Sequence, residues 1–486
     1  MSRIVVLGAG VSGHTAATYL KRKLGRHHDV VVVSPNSNWN WIPSNIWVGV
    51  GKMTKEKVTF PLAPVYRRLG IDFVQAKATS IWPEGDEHDP TPAIDVVFTG
   101  QDRAGQTERL RYDYLVNATG PKLRFDATPG LGPDANSWSV CTADHATATA
   151  AALEEVVERL AAGTPQTLVI GMGHGSCTCE GAAFEYVFNV DHLLRERGVR
   201  ERARIIYLTN EHELGDFGVG GMQFEQGGAS VTSEDWMASL FAERGIEVIL
   251  RAHVTEVLPG AVNYDTIDEG PGHQDFDFAM LLPPFRGVGL EAFDREGRSI
   301  TDELFAPNGF LKVDADYSAK PYEQWSATDW PTTYQSPRYA NLFGIGIAFA
   351  PPHAISRPYQ TPDGAPVAPA PPRTGMPSGV QGRTVAETIA HRIRSGDPLA
   401  PAHTASMAKM GAACIASIGA GMRHGAAATI TMSPIVPDRV QFPESGRDPK
   451  ATFGEVGLAG HWMKRLLHTL FIYKAKARPG WWLIPE

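Results

Sequence analysis

Cysteine is scarce in this chain: four in 486 residues, at Cys141, Cys177, Cys179 and Cys414. They are too few and too scattered to staple a secreted disulfide scaffold. Excess positive charge is missing as well. The formal net charge is -8, so nothing marks a nucleic-acid partner. No apolar run approaches the roughly 18 uninterrupted residues of a membrane-crossing helix. The first such run, Ile4 to Leu7, is too short for a secretion signal and leads straight into a glycine motif. No export leader is therefore expected, and the chain should stay in the compartment where it is made. No spacing reads as a metal site. What is left is a folded, loop-rich chain, 43% apolar with 49 Gly and 36 Pro, long enough for two or three domains.

The N-terminus supplies the first positive signal. Arg3 to Val33 reads strand, glycine-rich turn, helix (about Ser12 to Leu24) and strand (Asp29 to Val33). Gly8, Gly10 and Gly13 form GxGxxG, which permits a tight turn, close approach of a pyrophosphate and close helix–strand packing. The acidic residue that would hold a ribose after the second strand is absent. Ser34 or Asn36 would have to serve. A second motif, Tyr112 to Gly120 (YDYLVNATG), is an apolar strand ending in Ala118-Thr119-Gly120, the return crossing of FAD-binding disulfide reductases. With both motifs present, FAD is favoured over NAD in the first domain.

Between these motifs, Trp39 to Gly51 (WNWIPSNIWVGVG) is too rich in Trp, Pro, Asn and Gly to predict a regular element. Its tryptophans suit a surface patch, core filling, or an aromatic wall beside a flavin. Ile71 to Asp113 predicts strands whose polar inserts are exposed hairpin tips.

The stretch Gly171 to Glu185 (GMGHGSCTCEGAAFE) opens a second nucleotide-like unit, about Gln166 to Pro284. An apolar strand precedes it and a helix to about Arg197 follows. This is where a nicotinamide nucleotide would dock, yet the turn carries Cys177, Cys179 and Glu185. A helix N-terminus favours thiolate over thiol, so the turn reads as a thiol redox site. Strands at Arg204 to Leu208, Glu247 to Arg251 and Phe276 to Pro283, with a helix at Ser233 to Arg244, complete the unit. Cys141 precedes a helix from about Asp144. His145 is either a chemical partner or a solvated first-turn residue behind a Thr142 or Asp144 cap.

Further on, Gly344-Ile345-Gly346-Ile347 lacks the Asp that ordinarily binds the ribityl chain of FAD. Pro351 to Pro372 predicts an extended, exposed loop, and Arg373 to His391 a helix. Cys414 lies in a small-residue stretch. Leu458, Trp462, Leu466 and Leu470 recur every four residues, with basic neighbours and Trp481 and Trp482 beyond. This basic amphipathic segment suits a membrane surface, or packing on its own protein or an oligomer partner.

Taken together these motifs resemble the sulfide:quinone oxidoreductases, membrane-peripheral FAD enzymes. The resemblance runs from Arg3 to about Lys476. It rests on VLGAG, PSNIWVGVG (Pro43 to Gly51), ATGPKL (Ala118 to Leu123), VCTADHA around Cys141, CEGAAFEY (Cys179 to Tyr186), GIGIA (Gly344 to Ala348), RTGMPSG (Arg373 to Gly379) and AACIASIG around Cys414. It implies an α/β fold of two Rossmann-like domains with a C-terminal membrane-surface region. The expected divisions are a FAD domain over 1–165 and 285–400, an inserted second domain over 166–284, and a redox-cysteine and membrane region over 401–486. Cys179 and Cys414 would be the redox pair, with Cys177 an extra thiol that could replace Cys179. Cys141 would be the third cysteine, able to link FAD covalently. Glu185 and His145 would move protons.

The resemblance also implies that Pro43, Ser44, Asn45, Gly346, Ile347, Arg373, Thr374 and Gly375 contact FAD. Arg373 stands where Lys is usual. Ile347, Phe349, Lys464, Leu467 and Phe471 would line the entry for ubiquinone or menaquinone. The implied reaction oxidises sulfide to polysulfide or elemental sulfur on the cytoplasmic side of the inner membrane, in a dimer or trimer. Alternative readings are a type II NADH:quinone dehydrogenase, a flavin-dependent thiol–disulfide reductase, a sulfide dehydrogenase serving a cytochrome c, and a flavin-binding scaffold.

Overall fold

In a computed structural model, residues 1–226, 228–419 and 425–486 are described. In chain order the elements that place the site are β1 (Arg3–Leu7), α1 (Val11–Leu24), β2 (Asp29–Val33), β3 (Asp72–Val74), β4 (Tyr114–Asn117) and α2 (Ala143–Ala161). There follow β5 (Gln166–Met172), α3 (Glu180–Glu196), β6 (Ala203–Leu208), α4 (Ser233–Arg244), β7 (Glu247–Ile249), β8 (Phe278–Leu282) and β9 (Leu342–Gly344). The last are α5 (Gly375–Ser395), β10 (Ala412–Ile418), β11 (Ala426–Met432), β12 (Phe453–Gly457) and α6 (Leu458–Ala475).

The fold is α/β with two parallel sheets. The first has the order β9-β4-β1-β2-β3, and the second β7-β6-β5-β8. Their central strands are near-continuous runs of Val, Ile and Leu, because helices cover one face and an antiparallel sheet the other, and no residue alternates out to water. β9 comes late in the chain yet pairs with β4. The first sheet is therefore completed only after the second has been made. A third, antiparallel sheet, β10-β11-β12, carries Cys414 and leads directly into α6.

Several expectations change. Trp39 to Gly51 is regular after all: a short strand, Asn38–Asn40, is followed by a turn and the helix Asn45–Gly49. Trp39, Trp41 and Trp47 are all buried. Their aromatic area is too large to leave in water, and Trp41 stacks on Phe471 of α6 at 4.9 Å. The strand at Glu247 stops at Ile249, because Arg251 turns left-handed (φ 58°). A three-stranded antiparallel sheet over Ala252–Asp275 was not foreseen. Trp481 is buried edge-on against Tyr19 at 4.9 Å, so only Trp482 of the terminal pair is exposed.

The proline-rich segment is not an exposed loop. Tyr359–Gln360 pairs with Pro366–Val367, and the segment lies across the turn after β5. The Ala368 N–H donates to the Gly175 carbonyl at 2.8 Å and the Ala370 N–H to the Cys177 carbonyl at 2.9 Å. Proline removes donors only at its own positions, and the intervening alanines keep theirs.

Candidate thiol and dinucleotide site

The two parallel sheets present two strand–turn–helix crossings. At the first, Gly8 adopts φ 94°, and a Cβ there would collide with the Ala118 carbonyl. Gly10 has open space around it and begins α1 with no side-chain cap and no acidic residue in the first turn. The free N–H groups of the helix N-terminus thus face an open cradle suited to a pyrophosphate. Gly13 packs against the Gly8 carbonyl, and Gly120 (φ 71°) leaves its surroundings open. Ala118 is buried beside this turn and Thr119 is half-buried.

Two buried side-chain donors lack partners. Arg373 is buried on Phe310, and its Nη1 donates to the Ile347 and Phe349 carbonyls, each at 2.7 Å. Its Nε has no partner. Gln381 accepts from Gly346 N at 2.8 Å, and its Nε2 is unpaired. Unpaired buried donors beside an open anion cradle fit a bound FAD, whose phosphates and ring carbonyls are acceptors. Thr374 and Gly375 start α5 at this edge.

The thiols gather at the second crossing. Cys179 caps α3 in a left-handed conformation, φ 76°, a strained state for a residue with a side chain. A Cβ at Gly181 would lie 3.4 Å from the Cys414 sulfur. The Cys414 sulfur therefore packs on the first turn of the helix that Cys179 caps, although 234 residues separate the two in the chain. Arg373 faces Cys179, and Cys141 faces both Cys177 and Cys179. Beneath Cys414 lies a buried network. Glu185 is salt-bridged to Lys464 and accepts from Ser417 Oγ at 2.5 Å. Lys464 also donates to the Ile415 carbonyl at 2.9 Å, and Asn189 ties Glu185 O to Ser417 O.

This geometry revises the reading of several residues. The helix dipole does not win at the thiols. Burial pushes Cys141 and Cys414 up to about 11 and Cys179 to about 12, because an ion loses more solvation than a helix end returns. Cys177 has no exposed surface and donates to the Leu282 carbonyl at 3.0 Å. That is the setting of an inert thiol, not of a catalytic one. The His145 N–H is held by the Thr142 cap, and its ring lies edge-on to Phe125 at 5.7 Å. The carboxylates nearest it are Asp134 and Asp144, not a thiol.

Ser34 is buried with its hydroxyl on the Asn36 carbonyl, which leaves exposed Asn36 at the ribose position. Ser44 bonds the His468 ring at 2.8 Å. Asn45 bonds Asn40 and the Val140 carbonyl. Both brace the site, and only Pro43 of that trio is open to solvent. Phe349 is fully buried against Tyr334 at 5.4 Å, so it cannot line an entry. Ile347, Leu467 and Phe471 are half-buried.

Glu180, Glu211 and Asn210 were missed. Glu211 was legible: it follows β6, the position at which a ribose-binding acid ends the second strand of such a unit. Here it is turned inward, accepting from Phe217 N at 2.9 Å, Thr209 Oγ1 at 3.0 Å and Tyr207 OH at 3.3 Å. The Pro366 carbonyl is packed onto Gly175 in the same turn. The second crossing is therefore filled by the protein itself.

The chain is similar to proteins of known activity. Residues 2–207 match the pyridine nucleotide-disulphide oxidoreductase family. Sulfide-quinone reductase of Aquifex aeolicus (strain VF5) is 29% identical over 474 residues, 97% of this chain and 91% of that protein. The mitochondrial sulfide:quinone oxidoreductase of Mus musculus is 24% identical over 71% of this chain and 64% of its own length. The crystal structure of the Aquifex aeolicus sulfide:quinone oxidoreductase superposes with a TM-score of 0.76 at 26% identity, covering 98% of this chain and 92% of that one. NDH2 of Plasmodium falciparum with NADH shares the fold alone, at 12% identity and TM-score 0.64, over 99% of this chain and 97% of the other.

Proposed function

The chain belongs to the sulfide:quinone oxidoreductase family of FAD-dependent enzymes, and we propose that it oxidises sulfide at Cys179 and Cys414 and passes the electrons to a membrane quinone. The observation that supports this reading is the Cys414 sulfur packed on the first turn of α3, the helix that Cys179 caps, with Arg373 near enough to Cys179 to favour its thiolate. FAD, when bound, accepts two electrons from the thiol side and releases them to the quinone.

The residues divide the remaining work. Gly8, Gly10 and Gly13 would hold the pyrophosphate of FAD at the α1 N-terminus, Asn36 would meet the ribose, and the Arg373 Nε and Gln381 Nε2 would donate to its ring carbonyls. Sulfide attacks a bridged Cys179–Cys414 pair. One sulfur keeps the new S–S bond as a persulfide and the other leaves as a thiolate, which needs access and a stabilised leaving sulfur. Arg373 supplies positive charge to Cys179, and Lys464 supplies it to Cys414. Glu185, bonded to Lys464, takes part in moving the proton that HS⁻ carries into the persulfide. Repeated attack lengthens the sulfur chain until it leaves as polysulfide or sulfur. Cys141, facing the other thiols, is the candidate for covalent attachment of FAD.

An NADH-driven reaction finds less support, because the proline-rich strap lies in the second crossing. The leading test is stopped-flow bleaching of the flavin by sulfide in Cys414→Ser. A fall of about 100-fold or more is expected on loss of a thiol that takes part in bond exchange. Near-normal bleaching would remove Cys414 from the mechanism.

No helix among the described residues is long and apolar enough to cross a membrane. Leu458, Trp462, Met463 and Leu466 of α6 form an exposed apolar stripe, continued by Trp482 and Leu483. That stripe favours insertion into one leaflet, which would bring quinone to Ile347, Leu467 and Phe471. Replacing Trp462 and Leu466 together by Glu should lower sedimentation with anionic vesicles about 100-fold. Unchanged sedimentation together with loss of a dimer or trimer would make the stripe a contact between copies instead.

A further inference from the structure

Glu180 follows Cys179 directly and is the first residue of α3. It has no exposed surface, and neither carboxyl oxygen has a hydrogen-bond partner. A carboxylate ion without donors in the interior is among the least tolerable of buried groups. The Asn210 amide lies near enough to favour a charge on it, but burial and the Glu211 carboxyl outweigh that. The Asn210 amide donors are already taken, by the Gly175 carbonyl at 3.1 Å and the Cys177 carbonyl at 3.3 Å. Its Oδ1 is buried and unpaired. Turning the amide over would set that oxygen against two carbonyls, so its orientation is fixed. With neither oxygen bonded and Glu211 opposing a charge on it, the buried carboxyl is tolerated in one form: it carries a proton.

The groups around Glu180 hold that proton in place. The Tyr207 hydroxyl bridges the Glu180 carbonyl at 3.4 Å and Glu211 Oε2 at 3.3 Å. Glu211 and, in the loop beyond β6, Asp216 oppose a negative charge on Glu180. On the turn itself Cys177 and Cys179 face it. The cations of this region lie one group away: Arg447 beside Asp216, and Arg373 beside Cys179. Burial moves the Glu180 carboxyl well above the usual range and Glu211 to about 7.

We propose that Glu180 is the proton store of Cys179, protonated in the resting protein and exchanging that proton with the Cys179 sulfur. The exchange is balanced: Cys179 thiolate and Glu180 carboxylic acid become Cys179 thiol and Glu180 carboxylate, with no electron moved and no other bond changed. The inference rests on the role given to Cys179 in the proposed function.

Glu180→Gln in the FAD-loaded full chain tests it, because the side chain keeps its shape and loses only the exchangeable proton. In a Glu211→Gln background, which removes the second raised acid, the infrared spectrum should show the carbonyl band of a protonated buried carboxyl, shifting in heavy water, and adding Glu180→Gln should abolish it. Alkylation of Cys179 by iodoacetamide, followed by peptide mass spectrometry, should begin about one pH unit lower in Glu180→Gln, where no carboxylate opposes the thiolate. Sulfide-driven flavin reduction should slow about 10-fold or more, with an altered pH profile. A merely structural residue would not speed alkylation while slowing turnover. An absent band, a band that persists in the double variant, or an unmoved alkylation profile would each overturn the proposal. If sulfide fails to bleach the wild-type flavin, the proposed function falls, while the infrared and alkylation results still judge Glu180. Should Glu180→Gln fail to fold, the wild-type band must survive Glu211→Gln; its loss there would assign the proton to Glu211 and overturn the proposal.

Discussion

The two strand–turn–helix crossings begin from one plan and end in opposite states. After β1 the turn stays open at Gly10, and α1 starts with bare N–H groups. After β5 the turn is closed: the strap donates to Gly175 and Cys177, Asn210 donates to the same two carbonyls, and Glu211 is locked onto its own loop. A nucleotide cradle needs unfilled backbone donors. A sulfur site needs walls that keep water and nucleotide out while thiols meet. The same backbone unit serves either purpose, and what is laid across it decides which.

The comparison breaks hardest at Gly8. In Gly8→Ala the side chain combines a left-handed backbone with a collision at the Ala118 carbonyl. A loss of about 4 kcal/mol in chemical denaturation is expected, with release of bound flavin. Stability and flavin content like the wild type's would show that the first turn does not need its geometry.

The closed crossing has its own signature in pH. Burial lifts Glu211 from 4.5 to about 7, so between those values the native state binds a proton that the unfolded chain releases. Stability should therefore fall as pH rises from about 4.5 to 7, by at most about 3 kcal/mol from this group, and stay flat above. Glu211→Gln should flatten that slope in urea denaturation measured across the window. An unchanged slope would mean that the inward-turned acid is not the titrating group.

The smallest effect is expected at Gly175. Its φ is ordinary, but a Cβ would press on the Pro366 carbonyl and, at 2.8 Å, on His253 Nδ1. Gly175→Ala should displace the strap, cost about 1–2 kcal/mol, and expose the 359–367 segment to limited proteolysis. If cleavage there is no faster, the strap is not held by this contact.

Much of the fold is legible because it is local. The run RIVVL, then glycines at fixed spacing, then a small-residue helix specifies a βαβ unit from one end of the chain. The boundaries of β2 and α4 are found where their residues indicate. The strap was misread because proline content speaks for its own positions and not for the N–H groups of Ala368 and Ala370. The tryptophans at 39, 41 and 47 could not be assigned to core or surface without α6 and its Phe471. The family resemblance put Phe349 on a quinone path, whereas its ring is buried in the core.

The sequence by itself determined that two nucleotide-type crossings exist and that thiols occupy the second, since motif spacing and residue chemistry are written along the chain. Only the tertiary structure decided where each thiol lies. It set Cys414 over the first turn of α3, buried Cys177 against a carbonyl, and left Glu180 with a carboxyl and no partner. Burial and contact between residues hundreds of positions apart have no local code. They arise only when the sheets close and every polar group must find a partner or a proton.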